Sequence, residues 1–143
     1  MRDTRGLLYD DLSRSVIGAF FDVYNELGFN LLESIYCVAL CEELRRRGHH
    51  AQREVWIDVF YKGSPIARQR IDLIVDDRLV VEVKAGELLP RFARRQLLNY
   101  LSVTHLQLGL VLHFGPEPKF YRLICTKHPR SHPRASARIR GHP

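Results

Sequence analysis

Residues 70–84 read Arg70-Ile71-Asp72-Leu73-Ile74-Val75-Asp76-Asp77-Arg78-Leu79-Val80-Val81-Glu82-Val83-Lys84. Two apolar runs flank three polar residues, which is the pattern of two strands joined by a short turn. The second run, Leu79 to Lys84, is apolar except at Glu82 and Lys84, as in a strand covered on both faces, and it belongs at the centre of a sheet. Burying a charge costs several kcal/mol unless it is paired or holds a metal, so Asp72, Glu82 and Lys84 are the informative residues. Glu82 and Lys84 share a face because side chains alternate along a strand. Asp72 lies opposite Glu82 only if paired residue numbers sum to 154, with Val75 opposite Leu79 and Asp76-Asp77-Arg78 as the loop. A two-residue loop would set Asp72 against Val81 and send it to the other face. The three-residue loop is permitted but not forced, since it lacks the glycine such loops prefer.

Outward from this hairpin the periodicities define the remaining elements. Arg53 to Tyr61 alternates, with Val55, Ile57 and Val59 on one face and Glu54, Trp56, Asp58 and Phe60 on the other. Lys62-Gly63 marks a turn, and the next strand covers about Ile66 to Val75. Upstream, Leu12, Val16, Ala19, Phe20, Val23 and Leu27 form one stripe of a helix over about Asp10 to Leu27, stopped by Gly28. A second helix over about Leu31 to Arg47 directs Leu32, Ile35, Tyr36, Ala39, Leu40 and Leu44 inward and ends at Gly48. Its terminal Arg45, Arg46 and Arg47 suit the negative end of the helix dipole. Downstream, Pro90 opens a third helix reaching about Ser102, with Ala93, Leu97 and Leu101 toward the sheet. Strands over Gln107 to Phe114 and Lys119 to Cys125 complete the order ααβββαββ, an α/β fold with a central mixed sheet flanked by helices.

The chain has 143 residues, of which 45% are apolar and 27% charged, the balance of one globular domain, taken as 1–125. Residues 126–143 carry five basic and no acidic side chains, leaving 17 basic against 16 acidic elsewhere, so almost all of the net charge of +6 sits in this tail. With three prolines and Ile139 as its one large aliphatic residue, the tail reads as a disordered basic arm. No apolar stretch is long enough to span a bilayer, so no membrane partner is expected and a cytoplasmic location is. Cys37, Cys41 and Cys125 are too few for a four-cysteine metal site and read as reduced, small apolar residues.

If the three-residue loop forms, two carboxylates and an ammonium converge within one strand spacing. Two carboxylates that close repel unless a cation lies between them, and a hard ion, Mg2+ or Mn2+, suits an oxygen pair. Such an ion lowers the pKa of a bound water, which Lys84 could position. The plainer reading is an ion pair of Lys84 with Glu82 or Asp72.

Asp72 followed by Glu82-Val83-Lys84, with Gln96 on the next helix, resembles the PD-(D/E)XK nuclease superfamily, whose core is restriction-endonuclease-like. Gln96-Leu97-Leu98-Asn99-Tyr100 is similar to the QxxxY motif of its RecB-like branch. Asn30-Leu31-Leu32-Glu33-Ser34-Ile35-Tyr36 is similar to the signature of the small GxxExxY family, with Asn30 in the place of its Gly. The resemblance covers about Leu8 to Ile124 and implies metal-dependent hydrolysis of nucleic-acid phosphodiesters. By position it makes Asp72 and Glu82 metal carboxylates, Lys84 the catalytic lysine, Glu33 a further acidic residue near the metal, and Gln96 with Tyr100 the supporting helix face. Glu33 has a structural competitor, because Asn30 and Glu33 have the spacing of a capping box. His105 and His113 are alternative acid or base groups but read as structural.

The function expected is that of a metal-dependent nuclease, with DNA ahead of RNA as substrate. The alternatives are a nuclease-fold binding or regulatory module without catalysis, and an assembly module whose exposed Trp56 and Phe60 form a homodimer or partner surface.

Overall fold

The computed structural model describes residues 4–126 and 137–140. The elements are α1 (Thr4–Leu27), α2 (Glu33–Arg46), β1 (Ala51–Tyr61), β2 (Ser64–Val75), β3 (Leu79–Ala85), α3 (Ala93–Thr104), β4 (Leu108–Phe114), β5 (Pro118–Ile124) and β6 (Ala137–Arg140). The strands form one sheet in the order β5-β4-β3-β2-β1-β6, so β3 is central as its composition demands. Every residue from Leu79 to Val83 is buried. β3 and β4 run parallel and every other pair is antiparallel.

Two apolar layers cover the sheet. On one face α1 and α2 pack Val16, Phe20, Tyr36, Leu40 and Leu44 against Leu73, Val81, Val83, Leu110 and Phe114. On the other, Ala93, Leu97 and Leu101 of α3 meet Ile57, Ile71, Ile74, Val80 and Val111. Burying each large aliphatic side chain contributes about 1.5–3 kcal/mol, which is what holds the layers together.

β1 and β2 do not keep one alternation throughout. Ala51 and Leu73 belong to the α1/α2 face, whereas Val55 and Ile71, which strict alternation would place beside them, belong to the α3 face. The changeover lies at Glu54, in the left-handed region with φ 54°, and at Asp72 across from it; pairing passes from Arg53↔Leu73 to Val55↔Ile71 without them. Asp72 therefore sits where the sheet is irregular.

The loop between β2 and β3 has three residues, with Val75 opposite Leu79. It forms without glycine because Asp76 and Asp77, both at φ 53°, take the left-handed region that aspartate tolerates better than most residues. The Asp76 carboxylate then accepts the His50 N–H at 2.8 Å and bonds the His49 ring at 2.7 Å, and the opposite nitrogen of that ring bonds Ser15 on α1 at 2.7 Å.

Several expectations change. The inward face of α2 is Tyr36, Cys37, Leu40, Cys41 and Leu44, while Leu32 and Ile35 are 70% and 43% exposed. The sequence stripe was wider than the surface available, and the two cysteines took positions assigned to larger residues. α3 begins at Ala93, whose N–H bonds the Pro90 carbonyl at 3.1 Å in the turn before it. Trp56 and Phe60 are half-buried rather than exposed, and the Arg68 guanidinium lies 4.6 Å from the Trp56 ring centre. In the tail read as disordered, residues 137–140 form β6, paired antiparallel with β1; residues 127–136 and 141–143 lie outside the described residues. Among the described residues no helix is long and apolar enough to cross a membrane.

Asp76→Ala removes the His49 and His50 contacts and places a Cβ without a hydrogen-bonding group in a left-handed turn. It should destabilise the fold by about 2–4 kcal/mol in urea unfolding. An unchanged midpoint would mean that the sheet alone sets the hairpin register.

Candidate active site

Backbone pairing between β2 and β3 extends only from Val75↔Leu79 to Leu73↔Val81. Beyond it the strands part, and the Asp72 carboxylate accepts the Val83 N–H at 2.9 Å, standing in for the lost strand partner. β3 stays in place because its pairing with β4 continues to Ala85↔Phe114. Glu82, only 4% exposed, receives the Lys84 ammonium at 3.2 Å on Oε1, while its Oε2 is buried with no hydrogen-bond partner. The Asp72 and Glu82 carboxyls lie within hydrogen-bonding reach of each other.

This crowding sets the protonation. Burial and the neighbouring Asp72 push Glu82 up to about 7, against the opposing pull of Lys84. Burial also raises Asp72, opposed by the Val83 N–H, Lys84 and Arg70. Lys84 is thus shared by two acids that it cannot both neutralise.

Glu33 joins from the other side of the gap. It is the first residue of α2, and no side chain caps that helix: the N-cap is Leu32, and Asn30 lies in the left-handed region at φ 89°. The capping box is therefore not formed. Glu33 is raised chiefly by burial and then feels Lys84, Asp72 and Arg70. Tyr36 explains the position of Glu33. Its hydroxyl donates to the Gly28 carbonyl at 2.5 Å and accepts the Leu31 N–H at 3.2 Å, pinning the loop that leads into α2, and its ring stacks on Phe114 at 4.0 Å.

Gln96 and Tyr100 close the α3 side. Gln96 donates to the Tyr100 hydroxyl at 2.9 Å, and that hydroxyl donates to the Arg70 carbonyl at 3.2 Å, tying α3 to the strand just before Asp72. Burial raises the Tyr100 hydroxyl, and Glu82 and Asp72 raise it further. Glu33, Asp72, Glu82, Lys84 and Tyr100 thus lie within electrostatic reach of one another, and Gln96 is joined to them through Tyr100. His113 instead bonds the Gly86 carbonyl at 2.8 Å, and His105 is the left-handed C-cap of α3, so both have structural places. The cysteines form no disulfide, and burial followed by the nearby acids pushes Cys37 up to about 12, which keeps it a thiol.

A cavity of about 400 Å³ opens on the α2 side, lined by Glu33, Cys37, Asp72, Arg53, Glu54 and Arg70 among others. The last three were not singled out in the sequence. Arg53 and Arg70 both lie near the Glu54 carboxylate, at 3.8 and 3.9 Å. The one sequence signal for them was the alternation of charged residues beside Asp72 and on the neighbouring strand.

Among the described residues no three His, Cys, Asp or Glu side chains stand close enough to form a ready-made ligand set. The close part is the Asp72/Glu82 pair. Its unpartnered buried oxygen and its two acids against one lysine fit a hard divalent cation.

A family model described as the PD-(D/E)XK nuclease superfamily matches residues 10–123. A solved structure, that of SSO0001, is similar in fold with a TM-score of 0.52 at 22% sequence identity, covering 64% of this chain. The match covers 50% of that protein's chain. No curated protein matches the chain.

The raised pKa of Glu82 gives a signed pH dependence. The carboxyl is protonated in both states below its ordinary value of 4.5, and its ionisation in the fold is opposed up to about 7. Stability of the cation-free protein should therefore fall as pH rises from 4.5 to about 7. Thermal unfolding in EDTA across the window, comparing wild type with Glu82→Gln, isolates it. Equal slopes for the two proteins would show that Glu82 ionises at no cost.

Proposed function

Because the chain belongs to the PD-(D/E)XK nuclease superfamily, we propose that it hydrolyses nucleic-acid phosphodiester bonds at the Asp72/Glu82/Lys84 locus with a divalent cation, Mg2+ or Mn2+. The observation that carries this is the unpartnered, buried Oε2 of Glu82 beside a second carboxylate. A proton shared by the two carboxyls serves that oxygen at low pH; once both are ionised, a cation between them does.

Asp72 and Glu82 would hold the cation, with Glu33 as a third acidic group in electrostatic reach of both. When bound, the cation supplies charge neutralisation and a water of lowered pKa. The chain's own residues do the rest. The Val83 N–H fixes the Asp72 carboxylate, so this member of the pair is oriented before anything binds. Lys84 has three donors and uses one on Glu82; the others are suited to orient an attacking water and to stabilise charge developing on the phosphate. Gln96 and Tyr100 are positioning residues that hold the β2 backbone beside the site. Arg53 and Arg70, which line the cavity, present guanidinium groups of the kind that pair with phosphate oxygens.

A second reading, the same fold without catalysis, is favoured by the closed Lys84–Glu82 pair at 3.2 Å. The two are separated by cleavage of mixed DNA and RNA substrates with Mg2+ or Mn2+. Lys84→Ala should lower cleavage at least about 100-fold while the protein stays folded. In parallel, Mg2+ or Mn2+ should raise the thermal midpoint of wild type but not of Asp72→Asn. Cleavage unaffected by Lys84→Ala, together with no metal-dependent stabilisation, would leave the binding module as the function. The same assay separates DNA from RNA.

A further inference from the structure

The segment from Gly86 to the start of α3 is pinned at both ends and exposed between them. The Gly86 N–H bonds the Phe114 carbonyl at 3.3 Å, and the His113 ring bonds the Gly86 carbonyl at 2.8 Å. At the other end Ala93 is fully buried, and Leu89 packs against the α3 layer. Yet Leu88 is 84% exposed and Phe92 66% exposed, on a segment that leaves the sheet two residues after Lys84. Among the described residues neither side chain belongs to an apolar cluster of the core.

Phe92 lies on a line with the site. It precedes Gln96 by four residues and Tyr100 by eight, so the three follow one stripe, and the Gln96 N–H to Phe92 carbonyl bond of 2.8 Å carries the helical spacing back to it. Phe92 is thus one turn, about 5.4 Å, beyond Gln96 toward solvent.

The surrounding charge is positive. Arg91, Arg94 and Arg95 crowd the start of α3, against Glu87 alone on the acidic side, and the first turn of the helix contains no acidic residue. Cations at a helix N-terminus oppose the dipole, the reverse of the arrangement at the end of α2, so helix stability does not explain them. Arg94 is held with its guanidinium 4.1 Å from the Tyr121 ring centre, while Arg91 and Arg95 are exposed.

An exposed aromatic and an aliphatic side chain set among arginines, beside a phosphodiester site, match the two surfaces of an unpaired nucleotide: an apolar base face and an anionic phosphate. An intact duplex hides its base faces, so a phosphate-only contact would need the arginines but not Leu88 or Phe92. We propose that Leu88 and Phe92 form a platform for an unstacked base and that Arg91 and Arg95 hold the neighbouring phosphates. The preferred substrate is then single-stranded or frayed nucleic acid. This rests on the nuclease reading above and names its substrate class.

The test is fluorescence anisotropy in EDTA with labelled oligo(dT) and with a blunt duplex, at several salt concentrations. Wild type should bind the single strand more tightly. Phe92→Ala should weaken that binding roughly tenfold at unchanged thermal midpoint, with little effect on duplex. Arg91→Gln with Arg95→Gln should weaken both ligands and reduce the salt slope. Equal affinity for duplex and single strand, or single-strand binding indifferent to Phe92→Ala, would overturn the platform. Binding of phosphatidylserine vesicles, lost in Phe92→Ala, without oligonucleotide binding would also overturn it. Cleavage with Mg2+ separates the two levels. If wild type cleaves in a Lys84-dependent way and Phe92→Ala cleaves single strands equally well, the platform fails and the nuclease stands. If wild type neither binds nor cleaves, both fail.

Discussion

The structure turns on one hydrogen bond, from the Val83 N–H to the Asp72 carboxylate. A central strand normally satisfies its backbone through both neighbours, and an orphaned N–H in a dry sheet costs about 1–3 kcal/mol. β3 loses β2 as a partner after Val81, and the Asp72 side chain makes good the loss. The substitution has a chemical effect beyond satisfaction. It brings a carboxylate into the sheet next to Glu82, where two acids compete for one lysine and burial raises both. Backbone satisfaction and site assembly are the same contact.

The parting of β2 from β3 also explains how residues from opposite layers reach one locus. α2 packs on one face of the sheet and α3 on the other, yet Glu82 feels Glu33 of α2, and Tyr100 of α3 feels Glu82. A continuous sheet would stand between those layers along its whole length. The gap is sustained by the changeover at Glu54 and Asp72, and by Tyr100 holding the Arg70 carbonyl. Tyr36 works from the other layer, pinning the loop that brings Glu33 to the opening. Tyr36 and Tyr100 thus each hold backbone, one from either side of the sheet.

Much of this was legible in the sequence because it depends on local period. The centrality of β3 and the order of helices and strands follow from apolar patterns, and the pairing of Val75 with Leu79 is one of the two registers that loop length allowed. The register was an open choice, however, since Asp76 and Asp77 supply without glycine the left-handed turn that glycine would have announced. What periodicity missed is tertiary in origin. The face that α2 buries was decided by how much sheet surface α1 left free, so Leu32 and Ile35 ended outside. The pairing of residues 137–140 with β1 is a long-range contact that composition argued against. The placing of Arg53, Glu54 and Arg70 around the cavity goes with the change of face at Glu54 and Asp72, which strict alternation cannot foresee.

The cluster is held in tension rather than at rest. Lys84 is recruited by Glu82, but Asp72 and Glu33 bear on the same ammonium, and one Glu82 oxygen has no partner. Natural interiors avoid such arrangements where apolar residues of similar volume would serve, because those are often neutral or stabilising in place of a buried ion pair. Val80 and Val83 show that β3 can carry valine at adjoining positions with complete burial. Acidic and basic side chains at Glu82 and Lys84 therefore bring no packing advantage. A divalent cation held by Asp72 and Glu82, as proposed above, would account for their presence and would release the lysine for other work.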